Sequence, residues 1–449
     1  MLNVPQFSDF INNYSDFLLL SSFDKFKSFN LVTEKTIIYH SNIISQLAYA
    51  TYLEKIDNLF FNSPYRLSNF KVKQIRSRTI DTTFGSITFK RRQYINKWNG
   101  KYFYYIDNEI LNLVKYQRLS NELLSEIYYF VCSESYQKVA NRFNLSKQTI
   151  YNKITALRPY FIDGIDYPDT PKKVSILYIQ ADEIHVPNQN QTVSKSSMIK
   201  TLTIHEGLKK VCKGRRKLIN KIQLTKYNGE SNDDFNERIC ETITKLYDYK
   251  TLYYYGDGAN WIKSSANDLG ATYIIDLFHS GQAINRFCTL ANKEHIKPLQ
   301  ILLSNNLKNE FINYVEEKIG LENIYNNEFR TKSYRYIINN WKYIYRNYSL
   351  EKTVGCSQEG INYHSFASRL TTTPKGFNPQ NAQVIAQLIC AKNNGKNFRK
   401  LVHDKIIINK LYNYIDRNQN ESYLANQGHI STQNKSSVFR GIINSTILN

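Results

Sequence analysis

Residues 174–182 read VSILYIQAD and residues 251–257 read TLYYYGD: two short apolar runs, each closed by an aspartate. β-Branched and aromatic residues dominate both, which suits strands buried in a sheet. In the first run Ile176, Tyr178, Gln180 and Asp182 share one face, by the two-residue period of a strand. In the second, Asp257 precedes Gly258, which frees the backbone to turn sharply. MIKTLTIHE (198–206), KLINKIQLTKY (217–227) and ATYIIDLF (271–278) are also strand-like, and a helical pattern covers 233–248. Three strands in succession, a crossover helix and two further strands imply a mixed sheet in one α/β domain. Only helical patterns follow over 281–350, with more at 357–370 and after Pro379.

Active sites of open α/β sheets gather at strand ends. Two aspartates arriving there from neighbouring strands would repel each other unless a cation lay between them. Oxygen donors of this kind suit Mg2+ or Mn2+. Two such ions roughly 3.5–4 Å apart can activate an attacking oxygen and stabilise a leaving one. An aspartate at a strand end is also a common turn residue or helix cap. The pattern alone leaves the third ligand open among Glu206, Asp268, Asp276, Glu351 and Glu359.

Composition points to the partner. The 449 residues carry 59 Lys and Arg against 38 Asp and Glu, a formal net charge of +21, with 42% hydrophobic and 14% aromatic residues. That content fits a globular chain of two to four domains and excludes a disordered one. The charge favours a polyanion, because each cation placed on a phosphate releases condensed counterions. An AT-rich coding bias would enrich Lys, but would not deplete Asp and Glu. Six cysteines stand singly, without a CxxC pair, so neither a zinc ribbon nor a redox motif is expected. The first residues lack a basic segment before a short LLL run, so a reduced, intracellular and soluble protein is expected, with no membrane span.

Two upstream stretches suit nucleic acid. Residues 71–107 alternate and carry turn signals at Phe84-Gly85 and Asn99-Gly100, as a small β-meander does. From Arg66 to Lys97 nine basic residues, among them Arg76, Arg78, Arg91 and Arg92, face one acid, Asp81. Basic strands interleaved with aromatics can track phosphates, or can be a solvated sheet face. Further on, SYQKVANRFNLSKQTIYNKI (135–154) reads as helix, tight turn, helix. Val139, Ala140 and Phe143 form the first apolar face, Leu145 the turn, Ser146 the cap of the second helix, and Ile150 and Ile154 its core side. A helix-turn-helix places such a second helix in a major groove, where Lys147, Gln148, Thr149 and Lys153 would reach DNA; many helical hairpins share the pattern without doing so. A third basic run, Lys209, Lys210, Lys213, Arg215, Arg216 and Lys217, suits backbone contacts or a solvated loop.

YIQADEIHV (178–186), TIHEG (203–207), YYYGDGANWIK (253–263), IIDLFH (274–279) and GCSQEGINYHSFASRLTTTPKGFN (355–378) resemble, in that order, landmarks of insertion-sequence transposases of the ISLre-two family. These are bacterial DDE enzymes distantly akin to the Mutator-like group, and the similarity extends to TFGSITFKRRQY (83–94). The resemblance implies an RNase H-like catalytic core interrupted by a helical insertion. Asp182, Asp257 and Glu359 would be its catalytic and metal-binding acids, holding two Mg2+ or Mn2+ ions. Asp276 and His279 match a Cys-or-Asp, two residues, His element whose histidine lies near the scissile phosphate. His364, Arg369 and Lys375, near Glu359, would be further candidates for DNA contact. Thr373-Pro374-Lys375-Gly376-Phe377 stands where the family commonly has Arg-Pro-Met-Gly-Trp, and EGINYH where it has EGHVSH, which marks a divergent member.

The chain thus divides into an N-terminal helical region (1–70), a basic β-meander (71–110) and a helix-turn-helix region (111–170). A catalytic core in two parts (171–280 and 351–400) surrounds the helical insertion (281–350), and a C-terminal region (401–449) follows. The expected activity is cleavage of transposon ends and strand transfer into target DNA by a cytoplasmic, nucleoid-associated homo-oligomer. The alternatives are a non-catalytic DNA-binding derivative and an RNase H-fold nuclease.

Overall fold

The computed structural model describes residues 12–16, 34–189, 195–288, 290–372 and 376–404. Its strands are β1 (Phe70–Thr82), β2 (Gly85–Asn96), β3 (Tyr102–Phe103), β4 (Lys172–Pro187), β5 (Ser196–His205), β6 (Leu208–Cys212), β7 (Arg215–Leu218), β8 (Ile222–Thr225), β9 (Tyr247–Gly256) and β10 (Thr272–Ile275). The described residues form two compact units. The larger takes in those up to Gln46, Asp81–Ser86 and Glu122–Leu401; the smaller takes in Leu47–Ile80, Ile87–Asn121 and those from Val402 onward.

In the larger unit five strands lie in the order β10-β9-β4-β5-β8. β4 runs antiparallel to β5 and parallel to β9; β5 and β8 are antiparallel, β9 and β10 parallel. Strand alternation then decides both layers. Leu177, Ile179 and Ala181 of β4 join Phe235, Ile239 and Ile243 of the crossover helix Asn232–Leu246 in the main core. On the opposite face Tyr178, Tyr253, Tyr255 and Ile274 pack against Leu350, Val354 and Cys356. The chain beyond Leu350 is thereby laid along the face that carries Asp182.

Several elements differ from the expected ones. β4 continues five residues past Asp182, because Glu183–Pro187 pair with β5 and Ile184 and Val186 keep the buried alternation. Asp182 therefore lies within a strand, where its pairing with β9 has just ended at Gln180. The run 217–227 is two strands, broken at Asn220 by a left-handed backbone (φ 47°): Arg215–Leu218 pairs with β6, and Ile222–Thr225 with β5. The run 271–278 stops at Ile275, and residues from Leu277 form the helix Leu277–Cys288. Helices then cover most of the stretch to Ser349, ending in the long helix Glu328–Ser349, which packs on the histidine-bearing helix Leu277–Cys288.

The helix-turn-helix segment also belongs to the larger unit. Its helices are Tyr136–Arg142 and Lys147–Thr155, with Asn144 left-handed between them and the Ser146 hydroxyl accepting from the Thr149 amide at 3.0 Å. Val139, Ala140, Ile150 and Ile154 are fully buried. Arg158 then donates to Asn381 and Asn378 at 2.7 and 2.9 Å, and the Arg369 guanidinium to the Val131 carbonyl at 2.8 Å, so this segment is bolted to the helix Pro379–Asn393 and its approach.

In the smaller unit Phe60, Phe70 and Tyr94 form a core with Phe103 and Tyr105 beneath the sheet β1-β2-β3. Buried Asp57 and half-buried Asp107 draw in Arg92 and Arg91.

Among the described glycines, Gly164 is pressed against the backbone of a neighbouring helix. Its φ is +67°, and a Cβ there would lie 2.4 Å from the Ala391 Cα, which is backbone and cannot yield. Gly164→Ala is expected to cost about 3 kcal/mol by overpacking and strain, read as a lower urea midpoint. An unchanged midpoint would contradict this packing.

Candidate metal centre

Three elements bring one donor each to the same place. Asp182 comes from β4, Asp257 directly follows β9, and His279 stands in the first turn of the helix after β10. Ligand atoms of Asp182, Asp257 and His279 all lie within 4.8 Å of one another. Local chemistry orients each. The Asp257 Oδ1 accepts from the Ala259 amide at 2.9 Å, across a Gly258 whose φ of +102° and close neighbour, the Tyr336 ring, leave no room for a side chain. Tyr336 donates to the Asp257 carbonyl at 2.6 Å. Asp276 accepts from the His279 amide and the His279 Nδ1, both at 2.8 Å, so one carboxylate starts the helix and aims the ring. With Nδ1 donating, the His279 Nε2 keeps its lone pair for a ligand.

The third acid stands apart. Glu359 lies exposed in the helical turn Gln358–Ile361 and is not gathered with the other three donors. Its charge nevertheless reaches Asp182. What touches Asp182 from that segment is Asn362, whose amide donates to Oδ2 at 2.9 Å. Gln358 and Thr201 hold Asn362 from behind at 3.0 and 2.8 Å. Gln180 fixes the whole approach: its Oε1 accepts from the Ser357 amide at 2.9 Å, and its Nε2 donates to the Gly355 carbonyl and to His205 Nε2. Burial depresses the His205 pKa to about 4, which keeps the ring neutral and able to accept.

Acidic charge is concentrated around Asp182 and His279. Burial pushes the Asp182 carboxyl up to about 6; the Glu183 amide and His279 pull it down, while Asp257 and Glu359 push it further up. Burial opposes charge on His279, but the Asp276 hydrogen bond and the Asp276, Asp182 and Asp257 charges outweigh it and raise its pKa. Two carboxylates and an aimed imidazole, which offers its Nε2 lone pair once deprotonated, fit a divalent cation such as Mg2+ or Mn2+.

The DNA-contact residues expected from sequence fall into two groups. Arg76, Lys147, Gln148, Arg215 and Arg216 are exposed. Arg91 is buried, ion-paired to Asp107 at 2.9 Å and laid over Tyr104; Arg92 pairs with Asp57 at 2.7 Å. Arg78 shares Asp107 and also donates to the Gln117 carbonyl. Thr149 is turned to Ser146, and burial lowers the pKa of half-buried Lys153. His364 is exposed, Arg369 is buried, and Lys375 lies outside the described residues, as do the C-terminal region beyond Asp404 and parts of the N-terminal one. Sequence reading passed over Gln180 as a brace, and Asn362 and Tyr336 altogether. Only Gln180 had a signal, a polar residue on the buried face of an apolar strand.

A family model matches residues 30–405; its description is an uncharacterised protein family, UPF0236. The chain belongs to UPF0236. It is similar to a UPF0236 protein of Caldanaerobacter subterraneus subsp. tengcongensis, 25% identical over 362 residues, which cover 78% of this chain and 74% of the relative. A second from the same organism matches to the same extent. A UPF0236 protein of Streptococcus gallolyticus, from the region 3′ of vanSb, is 25% identical over 205 residues, 44% of each chain. Among the described residues of this UPF0236 chain, no helix is long and apolar enough to cross a membrane.

Two outcomes follow for the metal-free protein. A carboxyl whose folded pKa is raised contributes stability below its unfolded value of 3.8, and that contribution is lost as pH rises through about 6. Asp182→Asn removes the cost of the buried charge and forfeits one hydrogen bond. It is expected to gain about 1–2 kcal/mol at pH 7.5 and nothing at pH 4.5, read from paired melting curves; a gain independent of pH would contradict the burial argument. Asp276→Asn frees the His279 ring and should weaken Mn2+ binding about 10- to 100-fold in a titration; unaltered affinity would contradict the aiming role.

Proposed function

We propose that this protein is a DNA transposase whose sheet is an RNase H-like core. The observation that carries the reading is the convergence of Asp182 in the central strand β4, Asp257 just past β9 and His279 just past β10, with Glu359 on the nearby helical turn. Three consecutive antiparallel strands, then a crossover helix and two strands parallel to the first, support the core assignment. The helices between β10 and Glu359 agree with an insertion. A net charge of +21 supports a nucleic-acid substrate. The name of one relative joins eleven locus labels of one genome and that of another joins four, as copies of a mobile sequence would be labelled.

In this reading Asp182 and Asp257 hold the cation, Asp276 keeps the His279 ring aimed at it, and Asn362 and Gln180 fix the turn bearing Glu359. Asp182, Asp257 and Glu359 would hold Mg2+ or Mn2+, two ions in the complete site, which would supply Lewis acidity toward phosphate oxygens. Glu359, whose charge already reaches Asp182, would supply the third carboxylate. Water breaks a phosphodiester at a transposon end and leaves a 3′-OH. That 3′-OH then attacks a phosphodiester of target DNA, one P–O bond forming as another breaks, with no covalent protein–DNA intermediate. The helix Lys147–Thr155 and the strand β1 recognise the terminal inverted repeats. Two ends must meet, which calls for a dimer or larger homo-oligomer.

The outlying position of Glu359 favours one second reading, a DNA-binding derivative without chemistry. Incubation of the full chain with Mg2+ and duplexes carrying its flanking repeats separates them. The transposase yields 3′-OH nicks and joined products; binding without cleavage supports the derivative, and cutting without joining supports a nuclease. Ala at Asp182, Asp257 or Glu359 is expected to lower strand transfer by at least about a thousand-fold while sparing DNA affinity. An active Asp257→Ala protein would overturn the assignment.

A further inference from the structure

The ribbon β6–β7, inserted between β5 and β8, is built against its own charge. Within residues 209–217 stand six cations, Lys209, Lys210, Lys213, Arg215, Arg216 and Lys217, and no acid. All six are exposed, and among the described residues none is in an ion pair. Register places Lys209 opposite Lys217 and Lys210 opposite Arg216. Like charges directly opposite destabilise a strand pair, and an isolated two-stranded ribbon is marginal to begin with. Nearby Glu206 does not relieve them, since it is committed to Lys172 at 2.6 Å and Asn220 at 2.8 Å. Instead the base of the ribbon is locked, with Glu206 and Gly207 exchanging backbone hydrogen bonds with Ile219 at 3.0 Å.

Alternation puts the two cation pairs on opposite faces, because neighbouring strand residues point to opposite sides. A ribbon charged on one face would lie on a phosphate surface. One charged on both faces matches a slot with an anionic wall on each side, and the major groove of B-form DNA has the width for a two-stranded ribbon. We propose that β6–β7 inserts into the major groove of duplex DNA, with Lys209 and Lys217 on one phosphate wall and Lys210 and Arg216 on the other. The inference rests on duplex DNA being the substrate.

Anisotropy of a labelled DNA duplex, in EDTA so that no chemistry occurs, tests it with the full chain and a variant carrying Lys209→Thr, Lys210→Thr, Arg216→Thr and Lys217→Thr. The slope of log affinity against log salt should fall by about 0.9 for each phosphate that the variant leaves unneutralised, with affinity at least roughly ten-fold weaker at 150 mM salt. The variant should melt no lower than the parent, since repulsion is relieved. Methyl green, which occupies the major groove, should narrow the difference between the two proteins, and netropsin, in the minor groove, should not. Duplex RNA, whose major groove is too narrow for a ribbon, should show little difference between them. An unchanged salt slope, sensitivity to netropsin alone, or an equal effect on duplex RNA would overturn the ribbon's role. An intact slope difference here, with no cleavage in the Mg2+ incubation, would sink only the transposase chemistry.

Discussion

A carboxylate buried within a strand, with a second carboxylate and an imidazole closing on it, is the constraint around which the larger unit is arranged. Asp182 is only 7% exposed. It has lost most of its hydration, receives in return, among the described residues, the Glu183 amide and the Asn362 side chain, and feels the charges of Asp257 and Glu359. Such a group is tolerable when a cation shares the site and costly when none does. The remaining architecture supplies the means: β9 ends one residue before Asp257, β10 ends one residue before Asp276, and the run from Leu350 crosses the sheet to bring Asn362 into contact. The ends of β9 and β10 thus bring a second acid and an orienting one to Asp182, and the segment beyond Leu350 adds the closing amide of Asn362.

Much of this was legible in the sequence. The apolar runs ending in Asp182 and Asp257 gave the central strands, and Ser146 gave the cap of the second helix of the helix-turn-helix. What escaped was decided by tertiary pairing. The continuation of β4 to Pro187 depends on β5 lying alongside, although the buried alternation of Ile184 and Val186 was visible. The fate of Asp276 and His279 depends on capping: an aspartate after a strand can end it or begin a helix, and here it begins one. The position of Glu359 relative to Asp182 depends on two long-range bonds of Gln180, which no local pattern encodes.

The basic residues teach a similar lesson. Charge counted along the chain treats Arg91, Arg92 and Arg216 alike. In the folded protein Arg91 and Arg92 answer Asp107 and Asp57, so they are committed to the smaller unit's own stability. Arg215 and Arg216 answer nothing within the described residues and stand on a ribbon that repels itself. Cations that are exposed, unpaired and mutually opposed are those left over for a partner.

Anomalous diffraction from crystals soaked in Mn2+ at pH 7.5 bears most directly on the central claim. The account predicts a manganese peak bonded to Asp182, Asp257 and the His279 Nε2. An empty site at saturating Mn2+, or a peak held elsewhere with these three side chains unmoved, would contradict it.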